Sequence, residues 1–337
     1  MKKRMMMLGC AFALTLCATA AHAQERPGSL AIIGDTADVQ TKTQGGIALV
    51  GGGGDVDEVY KWMIARSGGG DAVILRATND DVYNAHIWAL GKLNSIETLN
   101  INSRELANDD RVARVIRNAE FVFIAGGDQS NYMRYWRDTK VSEALQYLMH
   151  VKKVPIGGTS AGCASLSGYF YSGEKGSAVS TTALANPYNE NVTIYNNFLQ
   201  PPFLQNVLTD QHYLKRNREG RHVAFLARAY TDWGTPVFGI APDERTGVCI
   251  DDKGMATVIG ESKAYFIIPQ SKPTQCKAGE PLEWNHHHKA MKVYEIQGSI
   301  TGNGSFDVKN FAKGKGKGGA WYWWWVENGN WEKEKVN

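Results

Sequence analysis

The chain has 337 residues, of which 43% are hydrophobic, enough for the core of one large domain or of one domain with a tail. The chain has 37 Lys and Arg residues and 34 Asp and Glu residues. Without its first 23 residues it would keep 34 of the basic residues, and the two numbers would be equal. A formally neutral chain argues against a nucleic-acid-binding protein, whose domain would carry net basic charge.

The first 23 residues have the pattern of a secretory signal peptide. A basic start, "MKKR", precedes the apolar stretch "MMMLGCAFALTLCATA", and "AHA" supplies small residues at the cleavage position. We predict cleavage after Ala23 and a secreted or periplasmic protein. A membrane anchor is the alternative, but the apolar run is short for a membrane span.

Three cysteines would remain after cleavage: Cys163, Cys249 and Cys276. They are spaced too widely for a metal knuckle. We interpret them as buried thiols, and a single disulfide between two of them is the alternative.

Strand and helix patterns alternate from Gly45 onward, after an N-terminal arm at 24–44. Apolar strands separated by helices predict an α/β fold in which helices cover both faces of a parallel sheet. Functional loops then lie at the carboxyl ends of the strands. The alternation runs through "GGIALV", "VDEVYKWMIARSG", "DAVILRA", "DDVYNAHIWALGKL", "SIETLNI", "DRVARVIRNA", "EFVFIA", "NYMRYWRDTKVSEALQYLMH" and "VPIGG".

Three glycine-rich turns follow strands in this pattern: "VGGGGD", "IAGGDQ" and "IGGTSAG". Since they fall at the carboxyl ends of parallel strands, we expect them to converge on one site. Nucleotide binding is the alternative for "GGGGD". The chain lacks the G-x-G-x-x-G spacing there and has no G-x-x-x-x-G-K-[ST] motif, so no cofactor is predicted.

Ser160 lies in "GTSAG", which fits the G-x-S-x-G pattern of a nucleophile on a sharp strand-to-helix turn. An ordinary turn serine is the alternative. A nucleophile needs a base, an acid that orients the base, and donors for the oxyanion. The backbone N–H of Ala161 and those of the Gly127-Asp128 turn are the predicted oxyanion donors.

His212 follows the apolar run "NVL" at the end of "NVLTDQH" and is the predicted general base, with a core histidine as the alternative. Glu244 follows the strand "TPVFGIAP" and could orient the imidazole. Its competitors for that role are Asp232, Asp243 and Asp251. The order Ser, His, Glu differs from that of α/β-hydrolases, in which the acid precedes the histidine.

At "GGTSAG", "FIAGGDQ", "DQHYLKRNREGR" and "APDERTG" the chain resembles the cyanophycinases of peptidase family S51, from about Gly45 to Ile268. The resemblance implies a flavodoxin-like fold, related to class I glutamine amidotransferases, which is a three-layer sandwich with a mainly parallel central sheet. It also implies cleavage of cyanophycin to β-Asp-Arg dipeptides by Ser160 as nucleophile, His212 as base and Glu244 as acid. The implied substrate-binding residues are Gln129, Asp210, Gln211, Arg216, Arg218 and Arg221.

The chain departs from the family pattern at several positions. Cys163 stands where the family usually has alanine, Tyr213 where it has phenylalanine, and the loop 172–204 is longer. The stretch "GIAPDERTG" replaces "GIDExTA". The peptidase domain is assigned to residues 45–311.

Alternatives to this function remain at the level of sequence. The three arginines could form a solvated helix face. The protein could be an S51-type isoaspartyl or aspartyl dipeptidase of another specificity, or a non-catalytic binding protein on the same fold. Cyanophycin or β-Asp-Arg peptides are the expected partners, and the sequence leaves monomer and homodimer open.

Two C-terminal features stand outside the resemblance. Adjacent histidines at 286–288 point in different directions, and no Cys or carboxylate frame surrounds them, so no metal site is predicted. Residues 312–337 combine a Lys/Gly linker with the tryptophan-rich run "WYWWW". We interpret that run either as a terminal strand packed on the domain or on a partner subunit, or as a segment adhering to an insoluble polymer.

Overall fold

The computed structural model describes residues 26–78, 83–302 and 304–336. The predicted signal sequence and its cleavage site lie outside these ranges, so export stays a prediction. Within the three ranges, every helix falls short of the length or the apolar character that a membrane span requires.

The elements are numbered along the chain. The strands are β1 (Ser29–Gly34), β2 (Gly46–Val50), β3 (Asp71–Arg76), β4 (Ser95–Asn100), β5 (Phe121–Ile124), β6 (Pro155–Thr159), β7 (Phe170–Tyr171), β8 (Ile194–Tyr195), β9 (Val207–Thr209), β10 (Phe238–Pro242), β11 (Thr246–Asp251), β12 (Met255–Gly260), β13 (Lys263–Pro269), β14 (Met291–Gln297), β15 (Gly304–Asp307), β16 (Gly316–Lys317), β17 (Ala320–Glu327) and β18 (Asn330–Lys335). The α-helices are α1 (Asp57–Ser67), α2 (Asn84–Trp88), α3 (Arg104–Ala107), α4 (Asp110–Asn118), α5 (Gln129–Trp136), α6 (Lys140–Tyr147), α7 (Ala161–Ser165), α8 (Ser180–Ala185) and α9 (Glu219–Trp233). A π-helical turn covers Leu148–Lys152, and a 3-10 turn covers Phe311–Lys313.

A ten-stranded sheet has the order β1-β4-β3-β5-β6-β2-β11-β12-β15-β16 among the described residues. The central strands from β4 to β2 run parallel, and antiparallel strands extend the sheet on both sides. Alternate residues of β3 enter different cores. Val73 and Leu75 pack with residues of α4 to α6, whereas Ala72 and Ile74 pack with residues of α1. Both faces of the parallel region are therefore covered, and the predicted α/β class is confirmed.

The N-terminal arm contributes the edge strand of this sheet. β1 pairs antiparallel with β4, with an irregularity in register between Ser29 and Ala31. The arm is therefore part of the fold and covers what would otherwise be an open strand edge.

A second sheet, of six strands in the order β18-β17-β14-β13-β10-β9, was not foreseen from the sequence. It packs on α9 through a cluster that includes Val223, Phe225 and Trp324. The stretch "MKVYEIQ" forms β14. The tryptophan-rich run forms β17, which pairs with β14. The structure thus gives residues 320–327 the first of the two predicted roles, that of a strand packed on the domain.

The three glycine-rich turns lie at one edge of the large sheet. They follow β2, β5 and β6, which are consecutive parallel neighbours in the order β5-β6-β2. The carboxyl ends of these three strands consequently lie side by side, as predicted, and the candidate site lies at this edge of the sheet.

Candidate active site

Ser160 occupies a sharp turn between β6 and α7. Its backbone has a positive φ of 51° with ψ −113°, a conformation that is strained for a residue with a side chain. The flanking glycines allow the turn. A Cβ on Gly158 would lie 2.6 Å from the carbonyl carbon of Gly162, and a Cβ on Gly162 would lie 2.1 Å from the carbonyl oxygen of Ile124. This is the geometry that the G-x-S-x-G pattern predicts.

His212 bridges Ser160 and Glu244. Its Nε2 lies 2.8 Å from Ser160 Oγ, and its Nδ1 lies 2.7 Å from Glu244 Oε1. Because a carboxylate only accepts, Nδ1–H donates to Glu244 and Nε2 is free to accept from the hydroxyl. The backbone N–H of His212 donates to the Gly51 carbonyl at 2.8 Å, which ties the base to the turn after β2.

The structure also separates Glu244 from its competitors. Asp243 accepts from the backbone N–H groups of Leu214 and Lys215 at 2.9 and 3.1 Å and from Ser262 Oγ at 2.7 Å. Asp243 therefore holds the segment that follows the histidine. Asp232 accepts from Tyr188 Oη at 2.6 Å, and Asp251 accepts from nearby backbone N–H groups.

The glycine run after β2 passes directly against the base and the acid. A Cβ on Gly52 would lie 2.5 Å from His212 Cε1, and a Cβ on Gly53 would lie 2.5 Å from Glu244 Cδ. Both glycines have positive φ, 84° and 76°. The sequence indicated that this turn belongs to the site. Its tight packing against the imidazole and the carboxylate was missed, because a glycine run alone does not specify what approaches it.

The predicted oxyanion donors lie beside the nucleophile. Ala161 is the first residue of α7, directly after Ser160. On the other side, a Cβ on Gly126 would lie 3.5 Å from Ser160 Cβ, and Gly127 has φ 150°. Asp128 caps α5 by accepting from the backbone N–H of Ser130 at 2.9 Å. The role of these amides stays a prediction.

The interpretation of Asp210 changes with the structure. Its two carboxylate oxygens accept from Arg221 Nε and Nη2 at 2.7 and 2.6 Å, and both residues are buried. Although burial by itself raises the pKa of Asp210, the Arg221 guanidinium brings it below the usual value. Asp210 is thus already paired and is not open to a substrate guanidinium. Arg221 is 2% exposed, so the alternative of a solvated helix face is wrong for it.

The sequence pattern predicted Arg216 and Arg218 on helix α9, but both residues precede its first residue, Glu219. Arg218 is 8% exposed, and its Nη1 donates to the Gln211 carbonyl at 2.9 Å. Burial lowers the pKa of Arg218 to about 10. Arg216 is exposed. With Arg221 they line a cavity of about 170 Å³, whose opposite wall is formed by residues 177–180.

Gln211 is buried, and its backbone N–H donates to Asp210 Oδ1 at 2.8 Å. Gln129, the first residue of α5, faces the loop after β7, since a Cβ on Gly173 would lie 3.2 Å from Gln129 Nε2. The structure therefore brings Gln129 next to that loop and places the Gln211 backbone in the buried network around Asp210.

Tyr171 was not identified from the sequence, yet it shapes this loop. Its hydroxyl donates to the Gly176 carbonyl at 3.0 Å and accepts from the Ala178 N–H at 2.8 Å. Its ring stacks on Phe225 of α9, with centroids 4.4 Å apart. The aromatic run "GYFYSG" gave no signal that distinguished Tyr171 from its neighbours.

The electrostatics of the site favour a neutral base. Burial lowers the pKa of His212 below its usual value, and the positive charges of Arg216 and Arg218 lower it too, against the opposing hydrogen bond to Glu244. A neutral imidazole can accept a proton from Ser160. Cys163, three residues after the serine, is buried and free, and burial raises the pKa of its thiol. It therefore stays protonated and does not compete as a nucleophile.

A serine, a histidine and a carboxylate, hydrogen-bonded in series at the carboxyl ends of parallel strands, are organised as in a serine hydrolase. The chain belongs to peptidase family S51, whose family model matches residues 78–258.

Curated relatives agree with this family. The cyanophycinases of Trichormus variabilis (strain ATCC 29413 / PCC 7937) and Nostoc sp. (strain PCC 7120 / SAG 25.82 / UTEX 2576) are each 27% identical over 191 residues, which are 56% of this chain and 59% of theirs. The cyanophycinase of Geminocystis herdmanii (strain PCC 6308) is 22% identical over 214 residues, 62% of this chain and 70% of its own. The chain thus matches little more than half the length of the first two relatives.

Solved structures are more distant. A peptidase from an acI-B1 Actinobacterium aligns over 67% of this chain and 91% of its own at 18% identity, with a TM-score of 0.49. A putative peptidase E protein from Listeria monocytogenes EGD-e aligns over 65% and 100% at 14% identity, with a TM-score of 0.40. At such TM-scores the fold rests on the sheet topology described above.

Proposed function

We propose that this protein is an exported serine peptidase that hydrolyses cyanophycin to β-Asp-Arg dipeptides. The observation that carries the proposal is the hydrogen-bonded series Ser160, His212 and Glu244, with 2.8 and 2.7 Å between consecutive side chains. Membership of family S51 and the likeness to cyanophycinases support the choice of substrate. The signal-like first 23 residues support a secreted or periplasmic location.

The chemistry of the polymer fixes which bond must break. Cyanophycin has a polyaspartate backbone whose β-carboxyl groups carry arginine through amide bonds. A released β-Asp-Arg dipeptide keeps its β-amide, so the scissile bond is the backbone peptide bond between aspartyl residues. Release of free arginine would instead indicate attack on the side-chain amide.

The proposed reaction follows the two-step course of serine peptidases. Ser160 Oγ attacks the scissile carbonyl carbon while His212 Nε2 takes its proton, and Glu244 stabilises the imidazolium through Nδ1–H. The oxyanion forms beside the amides of Ala161 and of the Gly127-Asp128 turn. His212 then protonates the leaving amine, which leaves an acyl-enzyme on Ser160. Water, deprotonated by His212, hydrolyses the ester and restores the serine.

The arginine-lined cavity is the proposed place for the substrate carboxylates. Planar guanidinium groups bind carboxylates through paired N–H donors. Arg216 is exposed and Arg218 is largely buried beside it, so both can present a donor to the cavity, whereas Arg221 is committed to Asp210. We assign Gln129, at the loop after β7, to contacts with the substrate guanidinium, because its amide oxygen can accept from that group.

Ser160→Ala tests the proposal. Removing the nucleophile of such a triad lowers kcat by about 10⁶-fold, so the mature variant should release no measurable dipeptide from purified cyanophycin when products are identified by mass. Cys163→Ala is the matched control and should retain activity, since its buried thiol is protonated. Dipeptide release by Ser160→Ala would refute the nucleophile assignment. Failure of the parent to release β-Asp-Arg would refute the substrate assignment and favour another S51 specificity.

A further inference from the structure

The outer end of the six-stranded sheet carries tryptophan side chains that are only partly buried, with Trp321 and Trp325 packed at the margin of the hydrophobic core. Successive residues of β17 point to opposite faces, so Trp321, Trp323 and Trp325 share one face. On the opposite face Trp324 is 1% exposed and packs with the α9 cluster. The three tryptophans of the first face remain partly exposed. We call this first face the tryptophan face.

Charged side chains flank the tryptophan face on both sides. On β14, Lys292 is paired with Trp323 and therefore shares its face. On β18, Glu334 is paired with Trp323 and Glu332 with Trp325. Both glutamates are exposed. The aromatic rings thus lie between a basic side and an acidic side.

The rings of this face already accept cationic groups of the chain itself. Lys292 Nζ lies 4.6 Å from the ring centroid of Trp321 and 5.8 Å from that of Trp323. The exposed Lys289 approaches Trp323 at 5.7 Å. These distances are those of cation–π contacts, so the tryptophan rings of this face bind positive groups.

A strained turn brings a further ring to the tryptophan face. His286, His287 and His288 have successive φ values of 47°, 55° and 63°. A left-handed conformation is unfavourable for a residue other than glycine, and such strain concentrates at functional segments. Here the turn stacks the imidazole of His288 on Trp325, with centroids 4.6 Å apart and planes 15° apart.

The hairpin of β17 and β18 also reaches toward the active site. Trp331 and Glu332 line a cavity of about 350 Å³ together with Ser180 and Asn217. Ser180 lines the arginine cavity as well. The same hairpin therefore carries the tryptophan face and walls a cavity that adjoins the proposed substrate site.

We propose that the tryptophan face docks a polymer whose repeating unit carries one guanidinium and one carboxylate. This inference rests on the proposed function, because cyanophycin is such a polymer. Guanidinium planes stack on tryptophan rings and pair with Glu332 and Glu334. The carboxylates of the polymer pair with Lys289 and Lys292. The basic side and the acidic side of this face match a polymer that carries both carboxylates and guanidinium groups. An uncharged glycan would require only the tryptophan rings.

Point substitutions on the tryptophan face test this docking, because Trp324 and the strand pairing stay intact. In a Ser160→Ala background, Trp323→Ala/Trp325→Ala should bind insoluble cyanophycin about tenfold more weakly in a sedimentation assay, given two exposed cation–π contacts. Trp62→Ala, which removes a partly exposed tryptophan of α1 stacked by Arg66 at 4.8 Å, is the matched control and should bind as the background does. Trp323→Phe/Trp325→Phe should retain most of the binding.

With Ser160 present, the double alanine variant should cleave a short soluble oligomer at the parental kcat/KM and lose activity only on the insoluble polymer. Unchanged binding, or an equal loss on the soluble oligomer, would overturn the docking proposal. Tighter sedimentation with chitin than with cyanophycin, lost in the same variant, would assign the face to a glycan and overturn it too. Hydrolysis of the soluble oligomer by the parent tests the proposed function separately.

Discussion

The proposed catalytic serine and histidine have backbone conformations that residues other than glycine adopt only at a cost. Ser160 and His212 both have left-handed φ, 51° and 49°, and the glycine turn after β2 closes over the imidazole. Such positions are strained in isolation, so the surrounding contacts must impose them. The precision of the site consequently depends on the close approach at Gly52 and Gly53.

Gly52→Ala should reduce activity strongly, and the positive φ of 84° at this position should also lower stability. The new Cβ would lie 2.5 Å from His212 Cε1 and 2.6 Å from Nε2, so the imidazole must move. A displacement of about 1 Å at a reacting group can cost about a hundredfold in rate, and we expect a loss of that order in kcat/KM. Gly279→Ala is the control, since Gly279 has a similar φ of 76° and open space around it. Equal losses in the two variants would show that backbone strain alone is responsible.

The pH dependence of kcat/KM should follow the lowered pKa of His212. The base works only when neutral, so the acidic limb of the profile should lie below pH ~6.5, the ordinary imidazole value. Arg216 is one of the positive charges that lower this pKa. Arg216→Gln should therefore move the limb toward higher pH, by a fraction of a unit because Arg216 is exposed and screened.

Profiles of kcat/KM against pH for Arg216→Gln, measured at low and high salt, test this predicted shift of the acidic limb. Lys215→Gln is the neighbouring control. The position of the limb is informative even if substrate binding weakens. A shift toward lower pH, or the same shift in both variants, would contradict the electrostatic explanation.

Much of the site can be predicted from sequence at this scale, for identifiable reasons. The G-x-S-x-G pattern specifies its own turn geometry. A histidine at a strand end, within the stretch "DQH", has few roles other than that of a base. The choice of Glu244 over Asp243 came from the family resemblance, because two adjacent carboxylates at a strand end differ only in where they point. The buried partner of Asp210 was also hidden, since Arg216, Arg218 and Arg221 are equivalent cations in the sequence.

At the scale of elements, the segment from β9 to α9 is fixed by one buried ion pair. Arg221 of α9 holds both oxygens of Asp210, and its Nη1 also donates to the Ala178 carbonyl at 3.1 Å. The pair links the strand that leads to His212 with the loop before α8. Arg221 therefore positions the site through its neighbours.

Arg221→Leu should destabilise the protein by about 3 kcal/mol, because the buried carboxylate of Asp210 then keeps only the more distant Arg218 Nη1 at 3.6 Å and the Gln211 N–H. Asp210→Leu/Arg221→Leu should recover part of that loss. Arg228→Leu on the same helix is the control. Its pairing with Asp232 is partly exposed and should contribute no more than about 1 kcal/mol. Urea unfolding measures all three, and equal losses for Arg221 and Arg228 would contradict the argument.

For the molecule as a whole, local patterns predicted the parallel core of the ten-stranded sheet and missed the six-stranded sheet. The strands of the ten-stranded sheet alternate with helices, and that alternation is visible in the sequence. The six-stranded sheet joins β9, β10, β13, β14, β17 and β18, whose pairings connect distant parts of the chain. Nothing in the run "AWYWWWVE" specifies that β14 is its neighbour, and the preceding Lys/Gly residues resemble a linker. Long-range pairing is decided by burial, which a local pattern does not contain.

Deletion of residues 320–337 should therefore cause unfolding or aggregation of the protein, in addition to any loss of polymer binding. β17 covers one edge of β14, and Trp324 and Val326 are buried against the α9 cluster. Deletion exposes that strand edge and removes a large aromatic side chain from the core, whose loss alone costs about 3–5 kcal/mol. Thermal unfolding and size-exclusion chromatography should show a lower Tm and aggregates. Trp323→Ala/Trp325→Ala, which leaves the pairing and Trp324 in place, should stay close to the parent. A truncated protein with parental Tm would mean that the hairpin is an appendage and not part of the core.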